Sequence, residues 1–276
     1  MKKVAIVGYA QHPILENAGA LNEVELIMPV VHQLFDELGI SQNNIDFTCS
    51  GSCDYLQGAA FAFVEGLSAI QTNPPIKESH VEMDAAWAMY ESMLKIQMGD
   101  ADTALIYGFG KSSPGRLDSI ISLQMDPYYI SPLWPDRVSL AAIQARVLLE
   151  KNIITPEQMI TAVIEARTNS KNNKNALVTE LVDKESYLAS EKISSPLNEF
   201  DCPPISDGSS AMIIASEEKA YDFTDQPIFI EGIDHRIESS NIGSRDLSKP
   251  TGIMASIEQL KLEKTKFDVA ELHTQF

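Results

Sequence analysis

Ser79–Gln97 reads SHVEMDAAWAMYESMLKIQ, and this stretch decides the fold. From Ala85 to Met98 nearly every face carries Ala, Trp, Met, Leu or Ile, with polar relief only at Glu91, Ser92, Lys95 and Gln97. A helix apolar on most sides belongs between two layers of structure, not on a surface. Asp84 stands just ahead of it, where a carboxylate accepts N–H bonds from the first turn and meets the positive end of the helix dipole. Gly99 closes the helix, as glycine does after a last turn. Asp84 is therefore a helix cap or a carboxylate placed for chemistry, and the residues alone leave both readings open.

Outward from this helix the pattern alternates. Lys3–Tyr9 is expected as a strand and Glu23–Leu38 as an amphipathic helix ended by Gly39. Ile45–Ser50 is short and apolar, followed by a turn at Gly51 and a further apolar stretch through Ile70. Thr103–Phe109 is a second clear strand, and Gly108 and Gly110 at its end permit close backbone approach, as at a ligand-facing edge. Ser209–Ala215 returns as a strand, Pro227–His235 opens a new βα series, and Phe267–Leu272 is expected as the last strand. Strands alternating with helices of roughly 10–16 residues imply a layered α/β fold with a largely parallel sheet.

Residues 112–200 interrupt the rhythm with Pro114, Pro127, Pro132, Pro135, Pro156, Pro196 and the polar run Thr168–Asn175. Helices are expected near Val138–Lys151 and Pro156–Arg167, the second started by Thr155 with Gln158 three residues on. The segment reads as an inserted, mostly helical excursion. It holds nine Lys/Arg against eleven Asp/Glu, a net of −2, whereas the other 187 residues hold twelve against twenty-eight, a net of −16. A chain this acidic repels nucleic acid and anionic membrane, and a phosphorylated ligand is best received by the near-neutral segment.

No stretch approaches the ~20 apolar residues that span a bilayer. The start, MKKVAIVGYAQHP, breaks at Gly8 and His12–Pro13 without a small-residue cleavage site. It reads as a first strand and not a signal peptide, so a cytoplasmic location is expected. Cys49, Cys53 and Cys202 fit a reducing compartment. The Cys49-x3-Cys53 spacing is not that of a zinc site, so the thiols read as structural and no metal is expected.

Several segments share one resemblance. GDADTALIYGFGKSS (99–113) is a strand ending in a glycine pair, and PISDGSSAMIIASEEKA (204–220) is a returning strand behind Ser-Asp-Gly. DPYYISPLWPDRVSLAAIQARVLLE (126–150), GIDHRIESSNIGSRDL (232–247), VEMDAAWAMYE (81–91) and AELHTQF (270–276) follow the same scheme. In that order and at those separations they resemble the thiolase superfamily, specifically its branch of thiolase-like lipid-transfer proteins. The resemblance implies a layered αβαβα fold with a complete first core half over 1–111 and 201–226 and an inserted loop domain over 112–200. It also implies an incomplete second half over 227–276. The chain is accordingly expected to be truncated, or completed by another polypeptide, since unpaired strand edges are usually covered.

The departures shape the functional reading. In thiolases a cysteine at a buried helix N-terminus takes the acyl group as a thiolate. Here the matching position is Asp84, and no cysteine lies within thirty residues of it. A carboxylate is a poor acyl acceptor, and the family's Gly-His-Pro and Cys-x-Gly loops would follow the strand at which this sequence stops, so a working thiolase is not expected. His273 stands where thiolases place Asn, and sterol-carrier relatives place His, in the oxyanion hole. A donor there is worth ~3–4 kcal/mol of transition-state stabilisation; the alternative is a surface histidine.

By resemblance, then, Asp84 and His273 are the candidate catalytic groups; Gly108 and Gly110 let the thioester approach the backbone, and the near-neutral insert makes Lys111, Arg116 and Arg137 the candidate contacts to the phosphates of coenzyme A. One implied function is carbon–carbon cleavage, of retro-aldol or retro-Claisen type, without a cysteine nucleophile. The other is a non-catalytic acyl-CoA or lipid-binding subunit. Either implies an acyl-CoA or related lipid thioester as ligand, with coenzyme A part of the substrate and not a tightly bound cofactor. Either also implies a homodimer and a small zinc-ribbon/OB-fold partner protein. His80 and Glu82 are placed to line the pocket. Asp234, His235 and Arg236 alternate across an expected strand and read as a structural cluster, while Tyr128 and Tyr129 read as packing residues or as phenols that reach an acyl chain.

Overall fold

The computed structural model describes residues 2–57, 60–72, 75–273 and 276. The chain opens with β1 (Val4–Gln11), α1 (Glu23–Leu38) and β2 (Phe47–Ser52). Short helices α2 (Asp54–Gln57) and α3 (Ala62–Gly66) precede β3 (Glu78–Glu82), α4 (Ala85–Met98) and β4 (Thr103–Lys111). Helices α5 (Leu117–Gln124), α6 (Arg137–Glu150), α7 (Pro156–Ser170) and α8 (Lys184–Ala189) come next, followed by a small ladder of β5 (Lys192–Ser194) and β6 (Leu197–Asn198). The remaining elements are β7 (Asp207–Ser216), α9 (Glu217–Ala220), β8 (Ile228–Phe229) and α10 (Thr251–Leu260). Residues 1–115 with 205–233 form one compact unit, and residues 116–204 with 234–276 a second.

The first unit is built on a sheet of order β3-β2-β4-β7-β1-β8. Strand β2 runs parallel to β3 and β4, but β7 is antiparallel to both β4 and β1, and β8 is antiparallel to β1. The sheet is therefore mixed and not largely parallel. The strand that returns after residue 204 enters between β1 and β4 from the opposite end, and full pairing on both its edges fixes it there. Alternation along β4 then divides the core. Leu105 and Tyr107 face Ile27, Val31 and Leu34 of α1, while Ala104 and Ile106 face Ala88, Met93 and Ile96 of α4. The result is a helix–sheet–helix sandwich.

Local signals account for both helices. Asn22 and Glu25 form a reciprocal capping box at the start of α1, and Gly39 ends it with φ 65°. Helix α4 runs from Ala85 to Met98 as expected, with Asp84 as its cap and Gly99 at φ 83°. Its burial differs from the expectation. Ala88, Ser92, Met93 and Ile96 are buried, but Leu94 and Met98 on the opposite side are exposed, so one face packs on the sheet and the other does not.

Two expected strands come out differently. The one proposed over Pro227–His235 contracts to Ile228–Phe229 and pairs with Ala5 and Ile6, so it extends the first sheet. Phe267–Leu272 forms no strand: Phe267, Val269 and Leu272 are all exposed, and no ladder partner lies beside them among the described residues. A strand without a neighbour leaves its backbone groups to water, and the alternating pattern alone does not hold it extended.

In the second unit, Val138 and Ala142 of α6 pack with Leu197, Cys202 and Phe276. Ile160 of α7 packs with Val182 and Tyr187, whose hydroxyl donates to Asp201 at 2.8 Å. Thr155 and Gln158 cap α7 reciprocally, as the sequence indicates. Residues 234–276 fall in this unit, and α10 exposes Ile253 and Met254.

Asp207, at the head of β7, ties the first unit together. Its buried carboxylate accepts from the Ala18 N–H at 2.8 Å, the Ser113 N–H at 3.0 Å and the Ser113 hydroxyl at 2.6 Å. Burial pushes this carboxyl upward, but the Ser113 and Ala18 donors together outweigh it and hold the pKa below its ordinary value of 3.8. The sign follows: the native state gains stability above that value and loses it as pH falls through the depressed native pKa. Asp207→Ala should cost about 3 kcal/mol in urea unfolding at pH 7, because it strands buried donors. The loss should shrink as pH is lowered toward 3; an equal loss at all pH values would refute the assignment.

Candidate active-site cleft

The C-terminal ends of β2 and β4 meet the N-terminus of α4 beside the start of β7. Here the sheet carries almost no side chains toward the helix. A Cβ on Gly51 would sit 2.2 Å from the Asp84 carbonyl oxygen, and one on Gly108 would sit 2.8 Å from the Ala85 Cβ. Both positions must be glycine for the first turn of α4 to rest directly on the strands. A Cβ on Gly110 would meet nothing closer than 3.9 Å, so the floor stays open beyond the helix end. An open cleft of about 440 Å³ results, lined by Gly51, Asp84, Gly108, Gly110, Ser210 and Gln11 among others.

Asp84 stands at the rim of this cleft. Its Oδ1 accepts from the Ala86 N–H at 3.0 Å and the Trp87 N–H at 3.3 Å, so the cap is formed. Oδ2 takes part in no hydrogen bond among the described residues, and the side chain is exposed to the cleft. One oxygen holds the helix and the other is available to a ligand.

The remaining candidates separate. Lys111 turns to the α1 side of the sheet, where its ammonium donates to the Leu21 carbonyl and its N–H to Gln57 Oε1 at 3.0 Å. Arg137 lies in the second unit, half-buried, 3.6 Å from Asp118 and 5.6 Å over the Phe276 ring. Both cations are committed to structure. Arg116 and His273 are exposed, also in the second unit, and His273 sits in no strand. The structure thus gathers Asp84, Gly108 and Gly110 at one place.

His80 does not line the cleft. It pairs in register with Ser50, whose hydroxyl lies 2.9 Å from Nδ1, while Gly51, the next residue, faces α4. The ring stacks on Phe63 at 4.1 Å and its Nε2 lies 3.4 Å from Glu82, all on the far side of the sheet. Asp234 and Arg236 pair at 3.2 Å on irregular backbone, not across a strand. Tyr128 and Tyr129 are exposed, so packing is not their role. Cys49 is buried, and burial with the nearby Glu91 charge pushes its thiol up to about 12, which makes it inert. Among the described residues no helix is long and apolar enough to cross a membrane, and no three His, Cys, Asp or Glu side chains group as metal ligands.

Sequence reasoning missed Gln11 and Ser210. Ser210 lies within the returning-strand segment 204–220 and Gln11 at the end of the first strand, but only the strand register brings them to the cleft. Gln11 pairs with Ser210, Ser210 with Gly108, and Gly108 with Gly51, which makes one row across four strands on the α4 face.

No protein-family model matches the chain. It is 26% identical over its whole length to an acetyl-CoA acetyltransferase of Methanocaldococcus jannaschii, spanning 73% of that protein. It is 29% identical over 145 residues to the acetyl-CoA acetyltransferase of Methanothermobacter thermautotrophicus, covering 50% of this chain and 37% of that protein. Among solved structures it is similar to the Ltp2-ChsH2(DUF35) aldolase, with a TM-score of 0.70 and 18% identity over 94% of this chain and 69% of that chain. It is also similar to human mitochondrial 3-ketoacyl-CoA thiolase in complex with CoA, with a TM-score of 0.61 and 15% identity over 81% of this chain and 67% of that chain. The fold is thiolase-like.

The glycine floor makes a direct contrast. Gly51→Ala should destabilise by about 3 kcal/mol or more, because backbone of α4 must move. Gly110→Ala should be neutral or stabilise by up to about 1 kcal/mol. Paired urea melts check this, and equal effects at the two positions would remove the helix seat from the account.

Proposed function

We propose that this chain binds an acyl-CoA or related lipid thioester in the cleft at the head of α4 and takes part in retro-aldol cleavage without a covalent acyl-enzyme. The observation that carries the reading is Asp84, at the place the resemblance gives to the nucleophilic cysteine, with one carboxylate oxygen capping α4 and the other open to the cleft. Kinship to acetyl-CoA acetyltransferases supports the ligand class, and likeness to an aldolase supports the reaction type.

A carboxylate suits this chemistry better than thiolysis. As a general base, Asp84 takes the proton from the 3-hydroxyl of the thioester. The O–H electron pair becomes the new C=O bond, the bond between C2 and C3 breaks, and its electrons pass to the thioester as an enolate. Protonation at C2 then releases a shortened acyl-CoA, and the C3 fragment leaves as an aldehyde or ketone. No acyl group is transferred to the protein, so the poor acyl-accepting power of a carboxylate does not matter. His273 is suggested by the resemblance alone, and Arg116 by the near-neutral charge of residues 112–200.

The runner-up is a lipid-transfer subunit that binds the thioester without cleaving it. It is favoured by the cap itself, since Asp84 already has a structural task. In both readings the protein works in the cytoplasm as a homodimer, with a small zinc-ribbon/OB-fold partner. The name of the aldolase neighbour, which joins Ltp2 to ChsH2(DUF35), is in keeping with a partnered protein.

Asp84→Asn separates the readings. Asn caps a helix about as well as Asp, so stability should change by only a few tenths of a kcal/mol, roughly. Calorimetry should show unchanged affinity for 3-hydroxybutyryl-CoA. Release of acetaldehyde and acetyl-CoA by the wild-type protein, assayed with and without candidate partners, should disappear in the variant. Cleavage that survives the substitution would exclude Asp84 as the base, and no cleavage by the wild type under any condition would leave the binding subunit.

A further inference from the structure

The strand ends under the cleft present Gly51, Gly108, Gly110 and Gly208; Ile14 and Met83 add apolar side chains to the lining, and Gln11 and Ser210 add polar ones. On the α4 face, residues 208, 210, 212 and 214 of β7 share one side. Met212 and Ile214 pack against the α4 cluster, and Ser209 on the other side donates to the Leu26 carbonyl of α1. Ser210 therefore points to the α4 side, beyond the last buried apolar residue. Along β1 the same side carries Tyr9 opposite Met212 and Gln11 opposite Ser210. The irregularity between Ile6 and Gly8 sets this parity, since without the extra residue Gln11 would face α1.

Distance follows from strand spacing. Gly108 lies directly under Ala85, so Ser210 sits one strand, about 4.8 Å, from the helix start and Gln11 about twice that. Between Asp84 and these two side chains the floor presents Gly108, Gly110 and Gly208. Among the described residues neither the Ser210 hydroxyl nor the Gln11 amide takes part in a side-chain hydrogen bond, although their neighbours Ser209 and Asp207 are fully engaged. A hydroxyl and an amide held at one register, beside the glycines of β4, are donors with no side-chain partner among the described residues.

We infer that Ser210 and Gln11 are positioning residues that hold the 3-oxygen of an acyl thioester against Asp84, which makes the preferred ligand a 3-hydroxyacyl-CoA and not a simple saturated acyl-CoA. The inference rests on the acyl-thioester reading above and adds the side chains that hold its 3-oxygen. The serine hydroxyl can donate to the substrate oxygen while that oxygen gives its proton to Asp84, so the two contacts do not compete. The amide of Gln11, farther from the helix, fits the same oxygen on a longer reach.

The test is a comparison of two probes on the full chain by calorimetry. One good hydrogen bond in a sheltered site corresponds to about tenfold in affinity. Wild-type protein should bind 3-hydroxybutyryl-CoA about tenfold more tightly than butyryl-CoA. Ser210→Ala should bring that ratio close to one while leaving butyryl-CoA unchanged, Gln11→Ala should reduce it partly, and Ser210→Thr, which keeps the hydroxyl, should restore it. Equal binding of the two probes to the wild type would overturn this assignment and leave the thioester reading standing. A uniform loss for both probes in Ser210→Ala would likewise overturn it, as a structural effect. If neither probe binds the wild type, the assignment and the proposed function fall together.

Discussion

The first turn of α4 rests on bare backbone, and most of the cleft follows from that contact. Gly51 and Gly108 are neighbours in register on β2 and β4, and each lacks the one atom that would collide with residue 84 or 85. The helix end is thereby brought onto the sheet, and its cap carboxylate is delivered to the open ends of the strands. Push the helix away by the thickness of two methyl groups and Asp84 becomes an ordinary surface cap. The seat brings a local capping carboxylate to the rim of the cleft.

Asp84 and Asp207 show two uses of the same side chain a short distance apart. Asp207 is buried and spends its lone pairs on three donors from two other segments, so it fixes the frame. Asp84 is exposed and spends one oxygen on two N–H groups. A carboxylate saturated with donors has no lone pair left for a ligand, whereas one with a free oxygen at the rim of a cleft can meet one. Environment, and not residue type, assigns the roles.

Local signals were legible in the sequence and non-local ones were not. Gly39, Asp84, Gly99 and Thr155 announced the helix ends correctly, because capping is decided within four residues. The runs of β1, β2, β4 and β7 were found to within two residues, but the expected strand over Pro227–His235 shrank to Ile228–Phe229, and strand directions were not legible, since antiparallel entry of β7 depends on where the chain re-enters. The exposed face of α4 was missed because composition shows that a helix is apolar without showing what covers it. Phe267–Leu272 failed for the converse reason: a strand pattern is no strand without a neighbour. Of the site, Asp84, Gly108 and Gly110 could be read from sequence, whereas Gln11 and Ser210 depend on register across 199 positions and on an irregularity in β1. Lys111 and Arg137 were plausible phosphate contacts only as long as their existing partners were unseen.

The account's central claim is that the cleft at the head of α4 is where an acyl thioester binds. Backbone amide chemical shifts of isotope-labelled protein, followed while 3-hydroxybutyryl-CoA is added, test it most directly. Perturbations should concentrate at Gly51, Ala85, Ala86, Gly108 and Ser210 and saturate together. Saturable shifts confined to residues away from these strand ends, or none at all in the folded protein, would contradict it.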